Sequence, residues 1–506
     1  MNNKLKLITG ILLAVSLFHI IPYAIDKDIF FGQVGKQVWT AELAQNISMG
    51  KVKGIIPYHD FPEVHHKEPV IWAEEFPLYI SLTGITSAIL RTDIVITSRV
   101  WSFIFFLFMI FGAYKLNRFL YLKTYLKGRF VLPLIFGLFP IFRLYASSVV
   151  PDLAMGTMLV WGFYYYIKQK NIASYVFFVL ACLFKYYAVF FIGGLMIYEL
   201  FFAKEFLTDK LRRILKLFLT TLPAISYVIY FILADIPNPI TEYKEAGHSH
   251  LGSSLIFSSK FYSRFVTWTF VKNSSIAGAI LAIFGFLRVR IKSDKLILIS
   301  ISLIISLLIF ALIFADSYYI HDYYSMSMMI LMAFLAAFGL DYLLFDAPKG
   351  LQIFGFVLLI GLLTQSISHT RSSQMKMNFY ADAANFMKQH IPTKEKIFML
   401  GDRTPGVTFF LNHYQGWTTS EFYFKSFPLI KKSTERLLQE GWPQHVALMF
   451  LDQNSQRHQK WLDYFGKYGW NSIKAKKEIP PSNRKTPPAL IMILEKASRS
   501  EAIDSE

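Results

Sequence analysis

Apolar runs bounded by charged or proline-containing turns recur through most of the chain. A run of roughly 20 residues crosses the hydrocarbon core as a helix, since lipid offers backbone polar groups no partner. The first run is Leu5–Ala24. It has a basic start and no small-x-small cleavage site, so it reads as an uncleaved span. Further spans are read at Val95–Tyr114, Phe130–Ala146, Leu153–Ile167, Ile172–Phe184, Tyr186–Phe202, Ile214–Ala234, Ser274–Leu287, Leu296–Ala315, Ser325–Phe345 and Leu351–Ser368. That makes about eleven spans by the length rule. Basic turns such as "KLNRFLYLKTYLKGR", "KQK", "KEFLTDKLRR" and "RVRIKSDK" fall on one side, which the positive-inside rule makes cytoplasmic. The N-terminus is then cytoplasmic and the C-terminal part lies outside. Keeping this alternation makes Phe76–Leu90 a helix on the outer surface rather than a crossing.

The period changes twice. Residues 25–94 form a long polar outer loop, with a helical stretch in "GKQVWTAELAQNISMG". From Thr370 onward the pattern is that of a soluble domain. "KIFMLG", "HVALMFL" and "ALIMILEK" read as buried strands, and "ADAANFMKQHI" and "FPLIKKSTERLLQE" as amphipathic helices. The expected fold class is a polytopic α-helical membrane protein with a small α/β extracytoplasmic C-terminal domain. Its expected domains are 1–369 in the membrane, with the 25–94 loop, and 370–506 outside.

Composition supports this reading. The 506 residues are 54% hydrophobic and 17% aromatic, more apolar than soluble domains. The formal net charge of +18 would point to nucleic acid in a soluble chain. Here it follows from basic cytoplasmic turns, so no nucleic-acid partner is expected. The single cysteine, Cys182, excludes an intrachain disulfide and argues against a cysteine metal site.

Charges beside spans mark function more often than surface charges do. In the first outer loop, "PYHDFPEVHHKEPVIWAEEFPLY" gathers Asp60, Glu74 and Glu75 with His59, His65 and His66. The histidines lack fixed ligand spacing and read as a solvated connector. Glu74 and Glu75 open the apolar surface helix. In "FRLYASSVVPDLAM", Arg143 and Asp152 read equally as a snorkelling arginine with a helix-start aspartate, or as a site. Lys185 in "ACLFKYYAVFF" is the only charge between Asn171 and Glu199. "DSYYIHDYYSM" puts His321, Asp322, Tyr323 and Tyr324 at the outer start of a span, denser in polar groups than an aromatic belt requires. A carboxylate can take a proton from an attacking hydroxyl, and lysine and arginine can stabilise a departing phosphate. That is the chemistry of moving a sugar from a lipid-phosphate carrier.

These motifs give the chain a resemblance to the multi-span glycosyltransferases of the C-type fold. It resembles most the bacterial group around protein O-mannosyltransferases and lipid A aminoarabinose transferases. The likeness covers roughly residues 5–370 and rests on the order of "TAELAQNI", "EEFPLYISL", "ITSRVWSF", "PDLAM", "FKYYAVFF" and "HDYY". It implies an inverting transfer from a polyprenyl-phosphate sugar to an acceptor glycan, lipid or protein, at the outer face of the bacterial plasma membrane. Glu75 matches the family's acid before the proline of the surface helix, and Asp152 its aspartate after the third span. Lys185 matches the lysine facing the carrier phosphate, and Tyr323 or Tyr324 a tyrosine near it. Where many members carry an acidic pair at the start of the first surface helix, this chain has Lys36 and Gln37. Asp60 is then the best substitute base, with Asp26 and Asp28 behind it. Catalytic roles are thus expected for Asp60, Glu75 and Glu74. Donor-phosphate or substrate contacts are expected for Lys185, Arg143, Asp152, His321, Tyr323 and Tyr324. No cofactor is certain, and a divalent metal ion stays open.

Two other classes compete. A transporter or lipid-linked sugar flippase would place charges at the midplane and break its helices there, whereas these polar groups sit on one face. A glycan polymerase or ligase would carry arginines in a large later outer loop; Asp235–Phe265 is short and holds only Arg264.

Overall fold

The computed structural model describes residues 2–26, 34–53, 56–59, 70–71, 76–234, 254–373, 378–392, 395–401, 415–420, 428–440, 443–450, 455–470, 472–479 and 489–496. The chain divides into two compact units. One comprises Met1–Lys27, Glu74–Asp235 and Ser249–Gln374; the other comprises Asp28–Ala73, Ile236–His248 and Met375–Glu506.

The first unit is a helical bundle. It contains α1 (Asn2–Ala24), and the second unit supplies α2 (Val34–Ser48) next in the chain. The bundle continues with α3 (Leu78–Leu90), α4 (Ile94–Leu122), α5 (Val131–Leu138), α6 (Pro140–Tyr145), α7 (Asp152–Ile167), α8 (Asn171–Phe184), α9 (Ala188–Phe201) and α10 (Leu207–Leu233). After a 3-10 turn at Ser254–Phe257 come α11 (Ser259–Val266), a π-helix at Thr267–Asn273, α12 (Ile276–Lys292), α13 (Asp294–Ile313) and α14 (Ala315–Ile320). A second 3-10 turn, Asp322–Ser325, leads into α15 (Met326–Phe345) and α16 (Lys349–Ser373).

Every run read as a span is helical, and Leu78–Leu90 is the short helix expected beside them. Five helices among the described residues are long and apolar enough to cross a membrane: α4, α10, α13, α15 with its preceding turn, and α16. A sixth crossing arises if the pair Ser259–Asn273 and Ile276–Lys292, bent by 94°, counts as one span. The other expected spans are shorter as apolar helices: in α1 the apolar part is Gly10–Ala24, and α7, α8 and α9 have 16, 14 and 14 residues. The run 130–146 is two helices, because Pro140 cannot continue the ladder of α5. The run 274–287 is not a plain span either. It opens at the 94° break that follows the π-helix, and Ser275 starts α12 in a positive-φ conformation (φ 65°), its hydroxyl accepting from Gly278 N at 3.0 Å.

The bundle is tied together by close backbone approach and a few buried polar latches. Side chains at Gly285 of α12 or Gly339 of α15 would collide with the facing carbonyls of Leu335 and Leu281, so these helices touch backbone to backbone. At the turn between α4 and α5, the buried Asp341 carboxylate accepts from the amides of Lys127 (3.0 Å) and Gly128 (2.6 Å). Asp346, just past α15, pairs with Lys127 and Arg288.

In the second unit, β1 (Val52–Lys53), β2 (Ile56–His59) and β3 (Val70–Ile71) form a small antiparallel sheet. The later part of the chain holds α17 (Asn378–His390), β4 (Lys396–Gly401), β5 (Gln415–Ser420), α18 (Pro428–Gln439), β6 (His445–Phe450), α19 (Ser455–Gly466), β7 (Ser472–Ile479) and β8 (Ala489–Glu495). Its sheet has the order β5-β4-β6-β8-β7, with β4 parallel to both neighbours and β8 antiparallel to both of its own. Phe398, Leu400, Val446, Leu448, Trp461, Phe465 and Trp470 form its core. The three expected strands are β4, β6 and β8. The sequence pattern missed β7, an edge strand whose Lys474, Lys476 and Lys477 hide the apolar alternation while shielding the edge from pairing.

Candidate active site

Three interruptions in the helices carry the polar groups. Pro151 ends the turn after α6 and starts α7, so Asp152 is the first helical residue, where the helix dipole favours an anion. Lys185 is the extended residue that stops α8 before α9 (φ −159°, ψ 122°). His321 is the extended break between α14 and the 3-10 turn that begins at Asp322.

Folding brings these breaks together. Lys185 Nζ lies 3.0 Å from Asp152 Oδ2, and the two residues are only 2% and 0% exposed. The Tyr187 hydroxyl donates to the other Asp152 oxygen. The Lys185 ammonium also sits over the rings of Tyr323 (4.6 Å) and Tyr187 (5.3 Å). Cation–π attraction strengthens when the cation is desolvated, as here. The rings of His321, Tyr323, Tyr324 and Tyr187 form a continuous stack, with neighbouring centroids 5.0 to 5.2 Å apart. Tyr145 of α6 donates to Asp322 Oδ1 at 2.7 Å, and Asn273, the last π-helical residue, donates to Ser325 Oγ at 2.8 Å. On the other flank Tyr79 of α3 donates to Ser98 O and meets Ser102 Oγ, both at 2.8 Å. Ser102 in turn donates to Ser148 O at 2.8 Å, pinning α3 and α4 against the turn that precedes Asp152.

Of the residues expected from sequence, Asp152, Lys185, His321, Tyr323 and Tyr324 therefore share one cluster. Arg143 does not join it in its contacts: its guanidinium bonds Ser16 Oγ (2.9 Å) and His19 Nδ1 (3.0 Å) of α1. Asp60, Glu74 and Glu75, with Asp28, His65 and His66, lie outside the described residues. Lys36 and Gln37 are buried in the first turn of α2, and Glu42 one turn later is buried and accepts from Asn46 at 2.8 Å. Tyr145, Tyr187 and Asn273 were missed as site residues. The first two stood inside the quoted motifs, but a tyrosine beside phenylalanines has no sequence mark separating it from a core residue. Asn273 lies in a turn whose π-helical winding has no periodic signature.

Among the described residues no group of three or more His, Cys, Asp or Glu side chains could hold a metal ion. The chemistry present is a buried ammonium–carboxylate pair, phenol donors and an aromatic wall. Such a site can neutralise an anion that enters it and leave a carboxylate in its place.

Together the helical bundle and the α/β sheet define a polytopic membrane protein of the C-type glycosyltransferase fold. Among solved structures, the chain is similar to ArnT from Cupriavidus metallidurans bound to undecaprenyl phosphate. The TM-score is 0.62 at 11% identity, over 96% of this chain and 97% of that one. It is also similar to the archaeal oligosaccharyltransferase AglB from Archaeoglobus fulgidus in complex with an inhibitory peptide and a dolichol-phosphate. Here the TM-score is 0.57 at 10% identity, over 88% of this chain and 69% of that one. A further structure of the Archaeoglobus fulgidus oligosaccharyltransferase, in complex with Zn and sulfate, matches with a TM-score of 0.55 at 11% identity, over 86% of this chain and 67% of that one. No family model matches the chain, and no curated protein matches it.

Proposed function

We propose that the protein is a membrane glycosyltransferase that moves a sugar from a polyprenyl-phosphate carrier to an acceptor hydroxyl. The observation that carries this reading is the buried Lys185–Asp152–Tyr187 cluster under Tyr323 and Tyr324, in a fold whose solved neighbours were captured with undecaprenyl phosphate or dolichol-phosphate. The transfer is inverting and takes place on the outer face of the bacterial plasma membrane, with the 370–506 domain on that side.

The chemistry follows from the groups present. A carboxylate of the first outer loop, Asp60 or Glu75 with Glu74 beside it, takes the proton of the acceptor hydroxyl as its oxygen attacks the anomeric carbon. The bond from that carbon to the phosphate oxygen breaks, and the electron pair leaves on the phosphate. Lys185 stabilises this charge, with Tyr187 and Tyr323 nearby as donors. In the structure Lys185 is engaged by Asp152, so a phosphate must replace Asp152 as its counter-ion. Exchange of one anion for another keeps the ammonium neutralised, and the displaced Asp152 carboxylate keeps the Tyr187 hydroxyl as its donor. His321 and the tyrosine stack offer flat faces to the sugar or to the isoprenoid's first units. Where a divalent ion takes part, it would add charge at the same departing phosphate.

Membrane preparations carrying Glu75→Gln, or Lys185→Met with Asp152→Leu so that no lone buried charge remains, are expected to insert normally and lose sugar transfer from a polyprenyl-phosphate donor. Near-normal transfer by both variants would remove this assignment. Movement of the lipid-linked sugar across vesicles, without transfer, would favour a flippase instead.

A further inference from the structure

Arg143 presents a separate problem. It is 0% exposed in an apolar bundle, yet its only side-chain partners among the described residues are neutral or basic: Ser16 Oγ and His19 Nδ1. Its Nε–H has no hydrogen-bond partner among the described residues. Guanidinium groups stay protonated in proteins, and a buried one without a carboxylate is strongly disfavoured. Intramembrane arginines are otherwise paired or turned to a functional cavity. Among the described residues, a further positive charge acts at the same place. Arg371, near the end of α16, acts electrostatically on His19 together with Arg143.

The hydrogen bonds determine which way the spare donors point. Arg143 can only donate, so His19 Nδ1 must accept, and a neutral His19 then carries its proton on Nε2. The Ser16 hydroxyl itself donates to Gly137 O at 2.6 Å. Ser16 and His19 are three residues apart and share one face of α1. Arg143 and Tyr145 are two apart on α6 and face different ways: Tyr145 turns to Asp322, and Arg143 turns to α1. Two polar clusters therefore use opposite sides of one short helix.

We propose that Arg143, His19 and Arg371, where α1, α6 and α16 meet, form a second anion site, distinct from the Lys185 cluster, that takes a phosphate group. The free Arg143 Nε–H, the His19 Nε2–H and the Arg371 guanidinium supply its donors, and phosphate offers three or more acceptor oxygens to match. Lipid headgroups and free phosphate share this chemistry. The proposal concerns binding alone and does not depend on sugar transfer.

The test is binding to the full-length protein purified in detergent, in the Asp152→Leu, Lys185→Met background, so that the other cluster cannot contribute and no lone buried charge is left. The probes are phosphatidic acid, diacylglycerol as its phosphate-free counterpart, and inorganic phosphate. Retained molecules are counted by native mass spectrometry, and thermal stability is followed in parallel. Phosphatidic acid is expected to be retained and to raise the melting temperature, while diacylglycerol does neither. Adding Arg143→Gln should weaken retention by about tenfold or more, the usual worth of a charge-assisted donor pair. Arg371→Gln, at an exposed position, should weaken it less and keeps the test valid if Arg143→Gln fails to fold. Protection by inorganic phosphate to the same extent would make free phosphate the occupant. Equal retention of phosphatidic acid with and without both substitutions, or equal effects of the two lipids, would overturn the site.

Discussion

At the scale of single residues, Lys185 and Asp152 are bound by mutual necessity. Each is almost wholly buried, so each is tolerated only because the other neutralises it. Removing one charge should cost far more than removing both. Asp152→Asn is expected to destabilise the protein by about 3–5 kcal/mol, the range for a broken buried pair. The double variant Asp152→Leu with Lys185→Met should recover most of that stability while remaining inactive in transfer. Thermal melts of the purified variants decide it, and an Asp152→Asn protein melting with the wild type would show that the pair holds nothing together. Arg143 stands apart from this logic, because its partners Ser16 and His19 carry no negative charge.

The helices owe their positions to contacts that hydropathy does not describe. The α12–α15 crossing depends on Gly285 and Gly339, where added Cβ atoms would run into backbone carbonyls. At the end of α15, Asp346 joins that helix to the α4–α5 turn through Lys127 and to α12 through Arg288. Burial works against ionisation of Asp346, but the hydrogen bond from Lys127 and the charges of Arg288 and Lys127 outweigh it and hold the carboxyl below its ordinary range. A depressed carboxylate stabilises the fold above its unfolded pKa, about 3.9. That contribution disappears as pH falls through the folded value. Asp346→Asn should therefore lower stability by about 1 kcal/mol at neutral pH, a modest figure because Lys127 is half exposed. The gap to wild type should close below about pH 4. Melting curves at both pH values would reveal a gap that stays constant, which would rule this latch out.

For the whole molecule, the arrangement of basic turns predicts which parts face the cytoplasm. The chain offers a clean way to check it. Cys182 is the only cysteine and is buried in α8, so background labelling should be negligible. With the topology read here, Lys476→Cys on β7 should react with a membrane-impermeant maleimide on intact cells. Lys123→Cys, at the exposed end of α4, should react only after permeabilisation. The reverse pattern would invert the molecule and put the proposed site on the cytoplasmic face.

Hydropathy and loop charge alone were enough to place the helical runs, the short helix Leu78–Leu90 and the strands Lys396–Gly401, His445–Phe450 and Ala489–Glu495. Desolvation of backbone and side chains is a local property, and a single segment carries its own signal. The break at Pro140 and the bend before Ile276 were hidden within runs of uniform apolarity. "FKYY", "PDLAM" and "HDYY" marked the cluster's residues, but not the tyrosine stack or the Tyr145–Asp322 bond that joins positions 177 residues apart. Arg143 read from sequence as a companion of Lys185, two spans later in the chain. Its partner was decided by which face of α6 the packed bundle turns toward α1, and that depends on tertiary contacts no linear pattern records.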